Sequence, residues 1–185
     1  MRAAREGIGA GDDAATAVLR TAQLLVHYTD SPIVGEDADA PGPDAGPLPG
    51  ERAPDATGLR RSGVTGPVRL HELFRHTGHT LLLWASSEAA WSEAMDIAED
   101  VLARSAGRVR AAVLVPVSLA DTAVFGATLV DQDGNAGAAY GFDDADTTPA
   151  AYLIRPDGYV SYRSSKLDTS RLFAHLTATT LRTSA

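Results

Sequence analysis

The residues in this 185-residue chain that could do chemistry stand in a few short strings. His71-Glu72 opens like the helical zinc motif in which two imidazoles four residues apart hold the metal and the glutamate acts as base. The fifth position is Arg75, so the second imidazole is missing, and His76 and His79 do not share a helix face with His71. Asp131-Gln132-Asp133-Gly134-Asn135 sets oxygens at alternate positions as a calcium loop does. The twelfth position is Phe142 instead of a bidentate glutamate, and turn chemistry accounts for the string. Ser86-Ser87-Glu88 falls where a strand should give way to a helix. Free amides at such a start can hold an anion, but a serine that caps the helix by bonding the amide two or three residues on is the simpler reading. Gly7-Ile8-Gly9-Ala10-Gly11 misses the dinucleotide-loop spacing, follows no strand and reads as linker. A Ser-His-Asp triad is assembled in space and stays open, although no Gly-x-Ser-x-Gly elbow occurs.

Composition narrows the classes. With 44% hydrophobic and 22% charged residues the chain has enough apolar material for one soluble domain plus extensions. Sixteen basic residues against 24 acidic ones give a net charge of −8, and the bases are scattered, which argues against nucleic acid. No apolar run approaches the ~20 residues that cross a bilayer, and the polar start Met1-Arg2-Ala3-Ala4-Arg5-Glu6-Gly7 has no signal-like region. A cytoplasmic protein is expected, with no membrane partner. There is no cysteine. Dithiol exchange requires an attacking thiolate and a resolving sulfur, so thioredoxin, glutaredoxin, isomerase and cysteine-peroxidase chemistry are not expected.

Periodicity supplies the elements that must position these residues. Residues 1–13 are polar and glycine-containing, with disorder expected. Asp12 or Asp13 can cap a helix through about Tyr28, with Val18, Ala22, Leu25 and Thr29 on one face. Residues 30–67 hold seven of the ten prolines and no period, a connection expected to wrap over a surface or reach a partner. The expected domain proper is 68–185, and 14–67 is the helix plus extended segment. In the domain the pattern predicts a short helix around residues 70–74 and a strand over 80–84. A helix over about 87–105 follows, with Ala90, Ala94, Ile97, Val101 and Leu102 as its apolar stripe and Gly107 ending it. Then come a strand over 111–117, a short strand at 128–130, a turn at Asp133-Gly134 and a short helix at 136–140. Tyr152-Leu153-Ile154, the turn Pro156-Asp157-Gly158 and the β-formers after it predict a hairpin. A last helix begins after Asp168, with Leu172, Leu176 and Leu181 inward.

Two strings carry a family signal. Pro49-Gly50-Glu51-Arg52-Ala53-Pro54-Asp55 and Arg155-Pro156-Asp157-Gly158-Tyr159-Val160-Ser161-Tyr162-Arg163, in that order, resemble the C-terminal domain of flavin-dependent aromatic-ring hydroxylases of the phenol-hydroxylase type. The resemblance runs from roughly Ala14 to the end. It implies an α/β, thioredoxin-like fold with a central mixed sheet flanked by helices, preceded by the N-terminal helix and the Pro-rich connection. It also implies structural roles for the motif residues Pro49, Gly50, Arg52, Pro54, Arg155, Pro156, Asp157, Gly158 and Arg163. Such hydroxylases use FAD and NAD(P)H, but the domain itself does not hold the flavin.

Trp84-Ala85 after an apolar strand is similar to the thioredoxin approach to its Cys-x-x-Cys pair, and counting onward puts Glu88 and Trp91 at the two thiol positions. The resemblance further places Pro149 where thioredoxins have a cis-proline, and both isomers are open for the Thr148-Pro149 bond. Residues 50–84 also look like a peroxiredoxin opening without its cysteine. The expected function is therefore a redox-inactive thioredoxin-like domain or subunit of an FAD-dependent aromatic monooxygenase, with a structural or oligomerising role and no cofactor of its own. The expected partners are a second copy or the hydroxylase body. Leu24, Leu25, Ile33, Val34 and Leu48 are the residues expected to meet them. A free-standing module binding a protein or small aromatic ligand, and a cofactor-free enzyme using histidines and carboxylates, are the alternatives.

Overall fold

The computed structural model describes residues 26–29, 31–37, 40, 45–121, 126–142, 150–166 and 168–180. Its centre is strand β3 (His79–Trp84), where the run His-Thr-Leu-Leu-Leu-Trp is buried on both sides. Period-two alternation sends Leu81 and Leu83 into one core and Leu82 and Trp84 into the other. Parallel to it lies β4 (Val109–Pro116), and β5 (Thr128–Asp131) runs parallel to β4. On the opposite side β6 (Ala150–Ile154) and β7 (Val160–Ser164) form the expected antiparallel hairpin, with Gly158 at φ 83° in its turn. Two short strands complete a seven-stranded sheet among the described residues: β1 (Gly35–Glu36) beside β7 and β2 (Leu59–Arg61) beside β5.

One face is covered by α2 (Glu88–Arg104) and α4 (Thr169–Thr180), the other by α1 (Leu70–Leu73), α3 (Asn135–Tyr140) and the segment 45–59. Ser87 caps α2 by accepting from the Ala90 amide at 3.2 Å. Ala106 and Gly107, both at positive φ, turn the chain out of it. The stripe of α2 is Ala90, Ala94, Ile97, Ala98 and Val101. Leu102, expected on that stripe, is 45% exposed, because one residue past Val101 rotates it about 100° off the buried face. Asp168 starts α4 by accepting from the Ser170 amide at 2.8 Å, and Leu172 and Leu176 point inward. Leu181 lies outside the described residues.

The proline-rich connection is part of the packed body from residue 45 onward. Ala53, Ala56 and Leu59 are core residues, and Leu59 pairs with both Asp131 and Val68. Residues 26–28, the end of the helix expected to reach Tyr28, are not helical. Tyr28 instead donates its amide to the Gly50 carbonyl. The rest of that helix, Leu24, Leu25 and the Thr148-Pro149 bond lie outside the described residues. No helix among those described is long and apolar enough to cross a membrane.

Candidate functional site

The two strings that carry the family resemblance meet in space. The Gly50 amide donates to the Val160 carbonyl at 2.8 Å, the Val160 amide to Glu51 at 2.8 Å, and the Ala53 amide to Gly158 at 2.9 Å. Arg52 and Tyr159 form the bridge between them. Pro49 sits half-buried at the start of this pairing, and the Pro54 carbonyl accepts from the Tyr140 hydroxyl at 2.8 Å. On the hairpin, Arg155 pairs with Asp157 and lies 5.4 Å from the Tyr28 ring centre. Pro156 and Asp157 supply the turn into Gly158. Arg163, only 2% exposed, is paired with Glu36 of β1. Beneath the hairpin an open cavity of about 310 Å³ is lined by Ile33, His79, Arg155, Pro156 and Ser161 among others.

The positions expected to align with a redox pair are spread apart in role. Glu88 is exposed on the first turn of α2. Trp91 turns inward against the core, and its indole N–H donates to Thr128 Oγ1 at 3.1 Å. The third position, Pro149, lies outside the described residues.

The histidines are engaged separately. His71 takes part in the α1 anchor, where its amide donates to Asp55 and its Nε2 lies 3.0 Å from the Ala53 carbonyl. His76 Nε2 is 2.9 Å from Thr80 Oγ1. Among the described residues, Ser161 and His175 make a contact that resembles a nucleophile and its base, Oγ to Nε2 at 2.8 Å. Ser161 is 1% exposed and donates its own proton to the Ile33 carbonyl at 3.1 Å, so the ring must donate to it through Nε2–H. Burial, and then the charge of His79, hold His175 down at about 4. These contacts tie β7 to α4 and to the lead-in of β1.

A cavity of about 380 Å³ opens at the carboxyl ends of the three parallel strands. Trp84, Pro116 and Asp131 are the last residues of β3, β4 and β5, and all three line it. In open α/β sheets this edge is where ligands bind. Phe142 stacks on Trp84 with ring centres 5.0 Å apart and planes 7° from parallel, closing one wall. Asp131 is 2% exposed; its Oδ2 accepts from the Gly137 amide at 2.8 Å, while its Oδ1 has no hydrogen-bond partner among the described residues. The indole N–H of Trp84 is likewise buried without a partner among the described residues. Sequence reading took Asp131 for turn chemistry and Trp84 for a landmark. The available signal was an acid closing the apolar run Thr128-Leu129-Val130.

FAD and NAD(P)H, the cofactors implied by the resemblance, do not fit this cavity. A pyrophosphate needs free helix-start amides or cations. Among the described residues the wall has a carboxylate and no cation, and the Gly137 amide is already held by Asp131.

Comparison with known proteins gives a family and a fold. The family model described as "Aromatic-ring hydroxylase, C-terminal" matches residues 46–182. No curated protein matches the chain. Among solved structures, a protein assigned as the thiol:disulfide interchange protein DsbE of Chlorobium tepidum overlays with TM-score 0.52 at 19% identity, covering 71% of this chain and 96% of that one. A protein assigned as a thioredoxin of Neisseria meningitidis gives 0.50 at 15% identity, covering 71% and 91%. The flavin-dependent monooxygenase PieE, solved with FAD and substrate, gives 0.48 at 20% identity; the overlay spans 90% of this chain and 27% of that one. The architecture is thioredoxin-like.

Proposed function

The chain belongs to the aromatic-ring hydroxylase C-terminal family, and on that premise we propose that it is a redox-inactive docking domain. It would serve an FAD-dependent aromatic monooxygenase in the cytoplasm, as part of that enzyme or as a separate subunit. The observation that carries the reading is that the family strings bind each other, with backbone groups of Gly50, Glu51 and Ala53 spent on Gly158 and Val160. Such residues hold a shape; they do not turn over a substrate. Two further observations agree with it. The chain has no cysteine, so Glu88 and Trp91 would stand where the resemblance expects thiols, and the cavity at the strand ends does not suit a dinucleotide.

The docking face on this reading is the strap and hairpin, where Tyr28 and Ile33 are 42% and 37% exposed beside the cavity under Arg155. Val34 and Leu48 are half-buried beside it. Its occupant is the hydroxylase body or a second copy. The test mixes the purified chain with FAD and NADPH, follows NADPH absorbance, and then runs gel filtration with light scattering. The expected result is a colourless dimer that oxidises no NADPH and is dispersed by Tyr28→Glu with Ile33→Glu. A yellow peak with stoichiometric flavin, or a monomer that captures no hydroxylase body, would overturn the reading.

A further inference from the structure

We propose that the cavity at the ends of β3, β4 and β5 binds an organic cation, an ammonium or guanidinium on an apolar stem, with Asp131 as its anchor. The carboxylate at its wall is almost fully buried, yet only one of its oxygens is used. A buried acceptor left unpaired costs free energy that a donor from outside would recover. No lysine, arginine or histidine lines the cavity, so the described wall offers Asp131 no positive partner of its own. An entering group must therefore bring N–H donors, and a charged one gains most, since charge-assisted bonds are roughly twice as strong as neutral ones.

The rest of the wall suits the stem of such a ligand. Phe142 and the edge of Trp84 make one apolar side, and Val117, 55% exposed, stands at the rim. The volume, about 380 Å³, falls toward the small end of the range of ligand pockets, roughly 300–1,000 Å³. Gly137 keeps the floor clear. A methyl group built on it would sit 3.6 Å from both Asp131 Oδ2 and the Trp84 ring, in ordinary contact and without a clash. Gly137 carries no positive φ, so alanine is a fitting residue there and would occupy the cavity without unfolding the chain.

The experiment titrates the full chain with benzylammonium, butylguanidinium, benzyl alcohol and benzoate by isothermal titration calorimetry. Benzylammonium or butylguanidinium should bind at one site at least tenfold tighter than benzyl alcohol, with benzoate excluded. Asp131→Asn, which keeps an acceptor for the Gly137 amide, and Gly137→Ala should each weaken that binding tenfold or more. Thermal melts should show Gly137→Ala as stable as the parent. Equal affinity for the neutral alcohol, or cation binding that survives both substitutions, would overturn the assignment, as would no saturable binding of either cation. A capped arginine, N-acetylarginine methylamide, separates the sources. Binding as tight as butylguanidinium points to an arginine side chain of a partner protein, and weaker binding points to a free small molecule. Because none of these readouts involves flavin or a hydroxylase body, failure here leaves the docking reading untouched.

Discussion

Gly50 and Val160 stand over a hundred residues apart in sequence and share a hydrogen bond of 2.8 Å from amide to carbonyl. Gly50 is at φ 89°, and a Cβ there would meet the backbone of Tyr28 at 2.4 Å and of Thr29 at 2.5 Å. Left-handed backbone costs a side-chain-bearing residue roughly 1–2 kcal/mol, and overpacking adds about 1–3 kcal/mol. Gly50→Ala is expected to destabilise the domain by about 2–5 kcal/mol in urea titration. Gly63→Ala, also at positive φ but with nothing within 4 Å, should cost only the backbone part.

The His175 ring sets a pH dependence. Its folded value, about 4, lies below the ordinary imidazole value of about 6.5, so below pH 6.5 the unfolded chain binds the extra proton. Stability is therefore full above about pH 6.5, falls as pH drops toward 4, and stops falling below that. After allowance for the partly exposed ring the loss is about 1–2 kcal/mol. His175→Gln should reduce the fall of urea midpoints between pH 6.5 and 4.5 without abolishing it, because burial also holds His76 and His79 below the ordinary value. A separate loss begins in stronger acid. Burial raises Asp37 and Asp55, but the bonds and charges of Tyr162, Ser164 and Arg171 on the first, and of His71 and Arg69 on the second, hold both below the ordinary value. Their contribution is complete above about pH 4 and disappears as pH falls through their folded values.

Arg163 and Glu36 form a pair with unequal burial, 2% against 37% exposed side chains. Removing one partner of a buried pair costs about 3–5 kcal/mol because it strands the other charge. Glu36 is partly solvated and Arg163 also bonds Tyr152, so Glu36→Ala should cost about 2 kcal/mol. The double variant Glu36→Ala with Arg163→Met should recover at least half of that loss, read by chemical denaturation. Additive losses would show that the pair is not coupled.

Trp91 ties the first turn of α2 to β5 through Thr128. Trp91→Phe keeps the packing against the core but removes the donor to Thr128, and a loss of about 1 kcal/mol is expected. A change within 0.3 kcal/mol would mean that this bond does not hold the helix start.

Most of the frame could be read from the chain because its signals are local. The predicted strand at 80–84 is β3 from His79, the predicted helix at 87–105 is α2, and the Pro156-Asp157-Gly158 turn gives the hairpin. The strands β1 and β2 could not be read. Two and three residues are too few to show a period, and their partners, Tyr162 and Arg163 or the run ending at Asp131, lie far along the sequence. The cavity was illegible for a related reason. Trp84 and Asp131 come together only through the parallel registers Trp84 with Leu114 and Pro116 with Asp131. No spacing in one dimension encodes that.

The strap also sets an order of events during synthesis. Gly50, Glu51 and Ala53 emerge from the ribosome well before Gly158 and Val160, and at about 5–20 residues per second the interval is roughly 5–20 s. Throughout it Ala53, Ala56 and Leu59 have nascent chain and no finished sheet to cover them. A contact of such high order closes late, so a chaperone has its longest opportunity to engage this segment before the hairpin exists. Slowing translation between codons 60 and 150 would lengthen that opportunity without changing any residue.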